Sequence, residues 1–251
     1  MNIKGLVATG AIVGALGMVG QTAHATTVNA TLAAQYFQVL DNTDPDFNVF
    51  NTPNVANGSS LGANGLPVAT SPFGVNDVNP VTHEITWWSP TLNTHVMATG
   101  TGTIALPYSS NMFPPNSTGG NDGTAFETAV FTGAFTLAAP GTVEFQLGSD
   151  DDSFIYVDGA LFGQNPGVHG VTNVDFTSPT LGAGGHTLNV FFADRQNTGA
   201  FLSLNLLSTD VVITPPGGVP EPATWAMMLL GFGGLGAMLR RGRAAKVAAS
   251  A

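Results

Sequence analysis

Three consecutive carboxylates, Asp150-Asp151-Asp152, and a second acidic turn at Asp194-Arg195-Gln196-Asn197-Thr198-Gly199 are the residues of this 251-residue chain best placed to do chemistry. Adjacent carboxylates repel, so a turn that holds three of them costs stability unless water, backbone N–H groups or a cation compensates. A hard cation such as Ca²⁺ takes about six to eight oxygens, drawn from carboxylates, carbonyls and amides. Two neighbouring loops can supply such a set, with Asp150, Asp151 and Asp194 as its charged members. Two readings stay open on these residues alone: a solvated acidic turn, or a cation site shared between the loops.

Other candidate motifs carry less. Gly58-Ser59-Ser60-Leu61-Gly62 has the G-x-S-x-G spacing of a serine hydrolase. That motif works on a sharp strand-to-helix turn, whereas here it lies in Asn/Gly-rich sequence with no helix pattern after it. Asp44-Pro45-Asp46-Phe47-Asn48 begins like an EF-hand loop, but Val49 stands where that loop needs Gly and Val55 where it needs Glu. His83, His95, His169 and His186 are scattered without zinc-ligand spacing. The chain has no Cys, which excludes disulfides and thiolate sites. A glycosidase needs two facing carboxylates, and nothing around Glu84, Glu127 or Glu144 points to such a pair.

The elements that must position the acidic turns read as strands. Val143, Phe145 and Leu147 alternate with Thr142, Glu144 and Gln146, the period-2 pattern of a half-buried strand. Ser153–Val157 is β-branched and aromatic and ends at Asp158-Gly159, a pair that favours a two-residue turn. The reading is therefore a central hairpin with Asp150–Asp152 on its connection. Further strand candidates are Thr26–Leu40, Glu84–Trp88, Gly102–Tyr108, Phe126–Leu137, Val171–Phe176, His186–Asp194 and Ala200–Leu207, while Asp41–Pro80 reads as long loops and Asp122 as part of a distant loop. With no amphipathic helix before residue 220, the fold class expected is all-β: an antiparallel β-sandwich with long loops over residues 26–209.

Both ends read as targeting segments. Lys4, the apolar run Gly5–Val19 and Ala23-His24-Ala25 make a signal peptide (residues 1–25) that signal peptidase would cut after Ala25. Residues 210–218 form a Pro/Gly linker. Val219-Pro220-Glu221-Pro222, the apolar run Ala223–Leu239 and Arg240, Arg241 and Arg243 follow over residues 219–243, leaving 244–251 as a cytoplasmic tail. Seventeen apolar residues span about 25 Å as a helix, just short of a hydrocarbon core, with the basic end inside. Between residues 26 and 218 fifteen Asp and Glu face one Arg, Arg195. A domain of that sign is unsuited to nucleic acid or anionic lipid and attracts cations.

The C-terminal segment, with its motif Val219-Pro220-Glu221-Pro222, resembles the PEP-CTERM sorting signal of Gram-negative bacteria. That resemblance implies processing by an exosortase, transient inner-membrane anchoring through the C-terminal helix, and a link to exopolysaccharide or biofilm. Gly148-Ser149-Asp150-Asp151-Asp152-Ser153-Phe154-Ile155-Tyr156-Val157-Asp158-Gly159, with Gly167-Val168-His169 and Val190-Phe191-Phe192-Ala193-Asp194-Arg195, resembles the fibro-slime branch of the protective-antigen-like β-sandwiches. Asp44-Pro45-Asp46-Phe47, Trp87-Trp88 and Phe113-Pro114 fit its weaker landmarks. In the related flocculins an Asp-Asp pair holds Ca²⁺ and, through it, sugar hydroxyls. The resemblance therefore implies Asp150 and Asp151 as metal and carbohydrate ligands, Asp194 in place of a flocculin Asn, and Gln196 and Thr198 as carbonyl ligands. The expected function is an exported, non-enzymatic surface or matrix protein with extracellular polysaccharide as partner and calcium as cofactor. The alternatives are a structural matrix or adhesion protein without a ligand site and, behind it, a glycoside hydrolase.

One expected result concerns processing alone. The mature released protein lacks residues 1–25 and the segment after Val219, which intact mass measurement reads directly; a soluble extracellular species that still carries Arg240 would sink the sorting-signal reading.

Overall fold

The computed structural model describes residues 30–40, 44–48, 57–70, 74–117, 122–123, 125–209 and 211–216. The expected signal peptide with Ala23 and Ala25, the motif Val219-Pro220-Glu221-Pro222 and the apolar run lie outside them. The described residues form an antiparallel β-sandwich without α-helix. Its strands are β1 (Ala30–Leu40), β2 (Asn57–Leu61), β3 (Pro67–Ala69), β4 (Val96–Leu106), β5 (Tyr108–Asn111), β6 (Ala125–Leu137), β7 (Glu144–Asp150), β8 (Asp152–Val157), β9 (Ala160–Asn165), β10 (Thr172–Thr177), β11 (Gly184–Ala193), β12 (Phe201–Leu206) and β13 (Ile213–Thr214). The large sheet runs β3-β2-β9-β8-β11-β6-β1-β4, with β13 also on β6, and the small sheet runs β10-β7-β12-β5.

Alternation decides which residues meet between the sheets. Val143, Phe145 and Leu147 are fully buried, as their spacing requires, and they face Ile155, Leu188, Val190 and Phe192 of the large sheet. The large sheet is also buried on its other face, where Phe154, Tyr156 and Phe191 meet Phe47, Trp87 and Trp88. The long loops between β1 and β4 thus supply a second core, and they are held by polar anchors: Trp88 Nε1 donates to the Phe192 carbonyl at 2.7 Å and Thr128 Oγ1 to the Trp87 carbonyl at 2.8 Å. Burial on both faces shows in β6 and β8, whose residues are buried almost without alternation, Glu127, Thr128, Asp152 and Ser153 among them.

Several expectations change. The predicted central hairpin is not one: β7 belongs to the small sheet and β8 to the large one, so the chain crosses between sheets at Asp151. The hairpin partner of β8 is β9, joined through Asp158-Gly159, whose φ values of 51° and 75° suit a primed two-residue turn. Glu84–Trp88 is not a strand but makes isolated bridges at Glu84 and Ile85. β4 starts at Val96, six residues before the expected Gly102, because Thr/Gly sequence gives no apolar period on a partly exposed strand. Ser60 of the G-x-S-x-G pattern sits on β2 opposite Ala160, followed by a turn at Gly65 into β3, so no strand-to-helix elbow exists there.

Candidate cation site at one pole of the sandwich

Strand register gathers both acidic turns at the same end. Asp152 opens β8 opposite Ala193, the last residue of β11, and Ala193 in turn pairs with Thr128. Asp150 closes β7 opposite Phe201, the first residue of β12. The turn 194–199 joins those two strands, so it must pass beside Asp150 and Asp151. The Asp150–Asp151 peptide bond is cis.

Hydrogen bonds fix the individual carboxylates. Asp151 accepts from the His169 N–H at 2.8 Å and the Arg195 N–H at 2.9 Å, which ties it to both flanking loops. Asp152 accepts from the Gly167 N–H at 2.5 Å and from Arg195 Nη1 at 3.1 Å, with both side chains fully buried. Asp194 is fully buried; its Oδ1 accepts from the Gln196 N–H at 3.2 Å, while Oδ2 is enclosed without a hydrogen-bond partner. Gln196 and Thr198 share that turn, the Thr198 N–H donating to the Gln196 carbonyl at 2.9 Å. Asp150 is half-buried, and Gly199 at φ 141° lies so close that a Cβ there would sit 3.1 Å from Asp150 Oδ2. Glycine is required here by both conformation and space.

Asp122 belongs to the same group, which corrects its expected place in a distant loop. Its Oδ2 accepts from the Gly199 N–H at 3.0 Å, and its charge reaches both Asp150 and Asp194. Burial, reinforced by Asp151, Asp122 and Asp150, pushes Asp194 well above the usual carboxylate range. Burial likewise pushes Asp151 up to about 7, despite the two backbone N–H groups that favour its charged form. Asp122, Asp150 and Asp151 thus all bear electrostatically on the buried Asp194, although their ligand atoms do not converge as closely as those of Asp44, Asp46 and Asp77.

A second cluster was not assembled by the sequence. Asp44, Asp46 and Asp77 bring ligand atoms within 4.8 Å of one another, and this triad could hold a metal ion. Its charges are already partly answered. Asp46 accepts from Asn76 N–H at 2.7 Å, Asn76 Nδ2 at 2.8 Å, Asp77 N–H at 2.8 Å and Trp87 Nε1 at 3.1 Å. Asp44 accepts from the Asp46 N–H at 2.8 Å and sits 3.2 Å from His95 Nδ1. Asp77 has one enclosed oxygen without a partner, and burial, with Asp44 alongside, pushes its pKa up to about 8. Three carboxylates this close are relieved either by a proton held on Asp77 or by a cation. Asp44 and Asp46 were visible as a broken EF-hand pattern; Asp77 lies 31 residues beyond Asp46 in a Pro/Asn-rich loop that offers no spacing signal.

Comparison with known proteins adds two findings. Residues 218–243 match the PEP-CTERM protein-sorting motif, which marks the chain as exported and directed to the cell surface of a Gram-negative bacterium. No curated protein sequence matches the chain. Among solved structures, the chain is similar to a PA14 sugar-binding domain from an RTX adhesin, at 16% identity over 74% of this chain and 94% of that one, TM-score 0.36. It is similar to the PA14 domain of the MpAFP antifreeze protein, at 13% identity over 78% and 97%, TM-score 0.36. The A domain of epithelial adhesin 9 from Candida glabrata, solved with Galb1-4GlcNAc, matches at 12% identity over 74% and 86%, TM-score 0.34.

Proposed function

We propose that the chain is an exported surface protein whose sandwich holds Ca²⁺ at its acidic pole and, through that ion, binds an extracellular polysaccharide. The observation that carries the reading is Asp194 Oδ2, buried without a partner among Asp122, Asp150 and Asp151. A hard, oxygen-only donor set suits Ca²⁺. Asp150, Asp151 and Asp194 would hold the ion with carbonyl oxygens of the Gln196–Thr198 turn, and the half-buried side of Asp150 leaves the approach for sugar hydroxyls. The bound ion supplies charge that vicinal hydroxyls can coordinate; the chain's own carboxylates accept hydrogen bonds from those same hydroxyls. The match to a sorting motif supports a partner met outside the cell, such as matrix or biofilm polysaccharide.

The glutamates support binding over hydrolysis. Glu84 is held by the Asn64 N–H at 2.6 Å and by Thr82 Oγ1 at 2.7 Å. Glu127 is fully buried against the Ser117 N–H, and Glu144 stands exposed at the start of β7, at the opposite pole. They do not form a facing pair across a cleft.

The test is retention on immobilised bacterial exopolysaccharide with and without chelator. Binding is expected with Ca²⁺, lost on chelation and lost in Asp151→Ala, and weak per site, so that many copies on one polymer supply useful avidity. Retention indifferent to chelation abandons the ion-mediated mechanism, and no retention in either condition favours the structural matrix protein.

A further inference from the structure

We infer that the outer edge of β4 is a self-association site, where a second copy of the chain adds its own β4 antiparallel and joins two large sheets into one. An open sheet edge presents a row of unpaired N–H and C=O groups, so folded proteins shorten, charge, interrupt or cover their edges. The two sheets here end in four edge strands, β3, β4, β5 and β10. Three of these are protected. β3 has three residues, begins with Pro67 and is covered by His83–Ile85: the Ala69 N–H donates to the His83 carbonyl and the Ile85 N–H to the Pro67 carbonyl, each at 2.8 Å. β5 has four residues and follows Pro107, and β10 has six, with Asp175 exposed among them. β4 differs on every count. Its eleven residues, Val96–Leu106, carry no charge and no Pro, and Thr101, Gly102, Thr103 and Ala105 are exposed. Among the described residues β1 is its one strand partner, and no loop backbone bonds to Met97–Leu106. Pairing with β1 slips at Thr99, but from Gly100 to Leu106 it runs unbroken against Ala30–Tyr36.

A second copy is the occupant this edge fits. It brings the same open edge, and two-fold pairing makes that edge its own complement. Centred on Thr103, the unbroken run sets Thr103 against Thr103, Thr101 against Ala105 and Gly102 against Ile104, so no like charges and no two large side chains oppose each other. Between Glu84 and Asp122 the sequence has no Asp, Glu, Lys or Arg. That matters in a domain with fifteen acidic residues and one Arg, whose copies repel wherever carboxylates meet.

Antiparallel pairing turns the second copy end for end. The acidic level crosses the large sheet through Asp152, Ala193, Thr128, Phe37 and Ala98, one residue on each of β8, β11, β6, β1 and β4. Ala98 lies five residues before Thr103, so the two acidic poles of the pair point in opposite directions, about 30 Å apart along the strands. If the pole binds polysaccharide, a consequence that rests on the function proposed above, the pair bridges two polymer strands.

The chain has no native Cys, so an introduced thiol reports contact directly. The full chain is expressed in cells that process it, as wild type, Thr103→Cys and Thr177→Cys, the last an exposed position on the protected edge strand β10. Directly opposed residues of an antiparallel pair have Cα atoms about 4.5 to 5.5 Å apart, within disulfide reach. Under mild oxidation Thr103→Cys should form a disulfide-linked dimer several-fold faster than Thr177→Cys. Sedimentation of the wild type should show a concentration-dependent dimer that Thr103→Lys abolishes while the melting temperature stays unchanged, since the position is exposed. Equal cross-linking at the two positions, or a wild type that remains monomeric, would overturn the inference. So would a Thr103→Cys thiol shielded from a small maleimide in the monomer, which would mean that another part of the chain covers the edge, or a disulfide formed to a different polypeptide. Neither measurement requires cation or sugar. A dimer with failed polysaccharide retention therefore refutes the proposed function and leaves the pairing standing, and the converse holds too.

Discussion

Ca²⁺ should raise the melting temperature of the wild-type chain, and Asp194→Asn should both abolish that rise and leave the ion-free protein more stable than wild type. The first half follows from linkage: an ion bound only by the native state stabilises it by about 2.7 kcal/mol at a hundredfold excess over Kd. For a domain of this size that is roughly 5 to 10 °C. The second half follows from the site. Without an ion, Asp194 is a fully buried carboxyl with one unanswered oxygen, in the electrostatic reach of Asp151, Asp122 and Asp150. Asparagine keeps the shape and removes the cost of burying an ionisable carboxyl beside other acids, a gain of about 1 kcal/mol typical of relieving a strained functional site. Glu144→Gln, exposed at the far pole, should keep the full Ca²⁺ response. Thermal melts of these proteins and of Asp77→Asn, with Ca²⁺ and with chelator, decide the matter. If Asp194→Asn lowers ion-free stability and keeps the shift, Asp194 is a structural acid; if the shift instead disappears in Asp77→Asn, the ion sits in the Asp44–Asp46–Asp77 triad.

The same site fixes a pH dependence. Folded pKa values above the unfolded ones mean that the native state holds more protons near neutrality, so stability is lost as pH rises through them. Asp151 at about 7, with Asp77 and Glu127 each at about 8, should make the ion-free protein less stable at pH 8 than at pH 5. His186, raised through its contact with Asp158, acts with the same sign. Metal binding needs the deprotonated carboxylates, so the Ca²⁺ increment should grow over the same interval.

The parts of this molecule legible in sequence are those governed by local rules. The alternation of Val143, Phe145 and Leu147 and the Asp158-Gly159 turn follow from strand period and from tolerance of positive φ. The sheet assignment of β7 and β8 was not legible. An apolar strand buried on both faces looks the same whether its neighbour in sequence pairs with it or lies across the core, and only the partners Phe201 and Ala193, some fifty and forty residues downstream, settle it. The acidic pair Asp150-Asp151 and the turn from Asp194 could be named because each is a local run of oxygen donors. Asp122 could not, since its part depends on one contact with Gly199, 77 residues away. Arg195 was visible only as a lone positive charge, while its surroundings come from three separate segments of chain, at Asp46–Asn48, Trp87 and Asp151–Asp152.

Arg195→Met should destabilise the protein by about 3 to 5 kcal/mol, because it removes the partner of a buried carboxylate. Nη1 of Arg195 lies 3.1 Å from Asp152 Oδ2, and both side chains are wholly shielded from water. Burial alone pushes Asp152 upward, and the guanidinium is the first factor that opposes it. Nε also donates to the Asp46 carbonyl at 3.0 Å, and the guanidinium carbon lies 4.7 Å from the centre of the Trp87 ring. One side chain thus joins the loop at Asp46, the aromatic layer at Trp87 and the first residue of β8. The Arg195 carbonyl accepts from the Asn48 N–H at 2.8 Å, so the backbone repeats the same link. Arg195→Lys should fall between wild type and Arg195→Met, since an ammonium keeps the charge but cannot reach Asp152, Asp46 and the ring in one plane. Urea unfolding of the single variants, Asp152→Asn and the double variant Arg195→Met with Asp152→Asn separates the terms. The double variant should recover a large part of the loss, because the stranded charge is gone while the lost Asp46 and Trp87 contacts remain. If Arg195→Met costs less than about 1 kcal/mol, Asp152 is held neutral in the native protein and the pair is an ordinary hydrogen bond between a cation and a carboxylic acid.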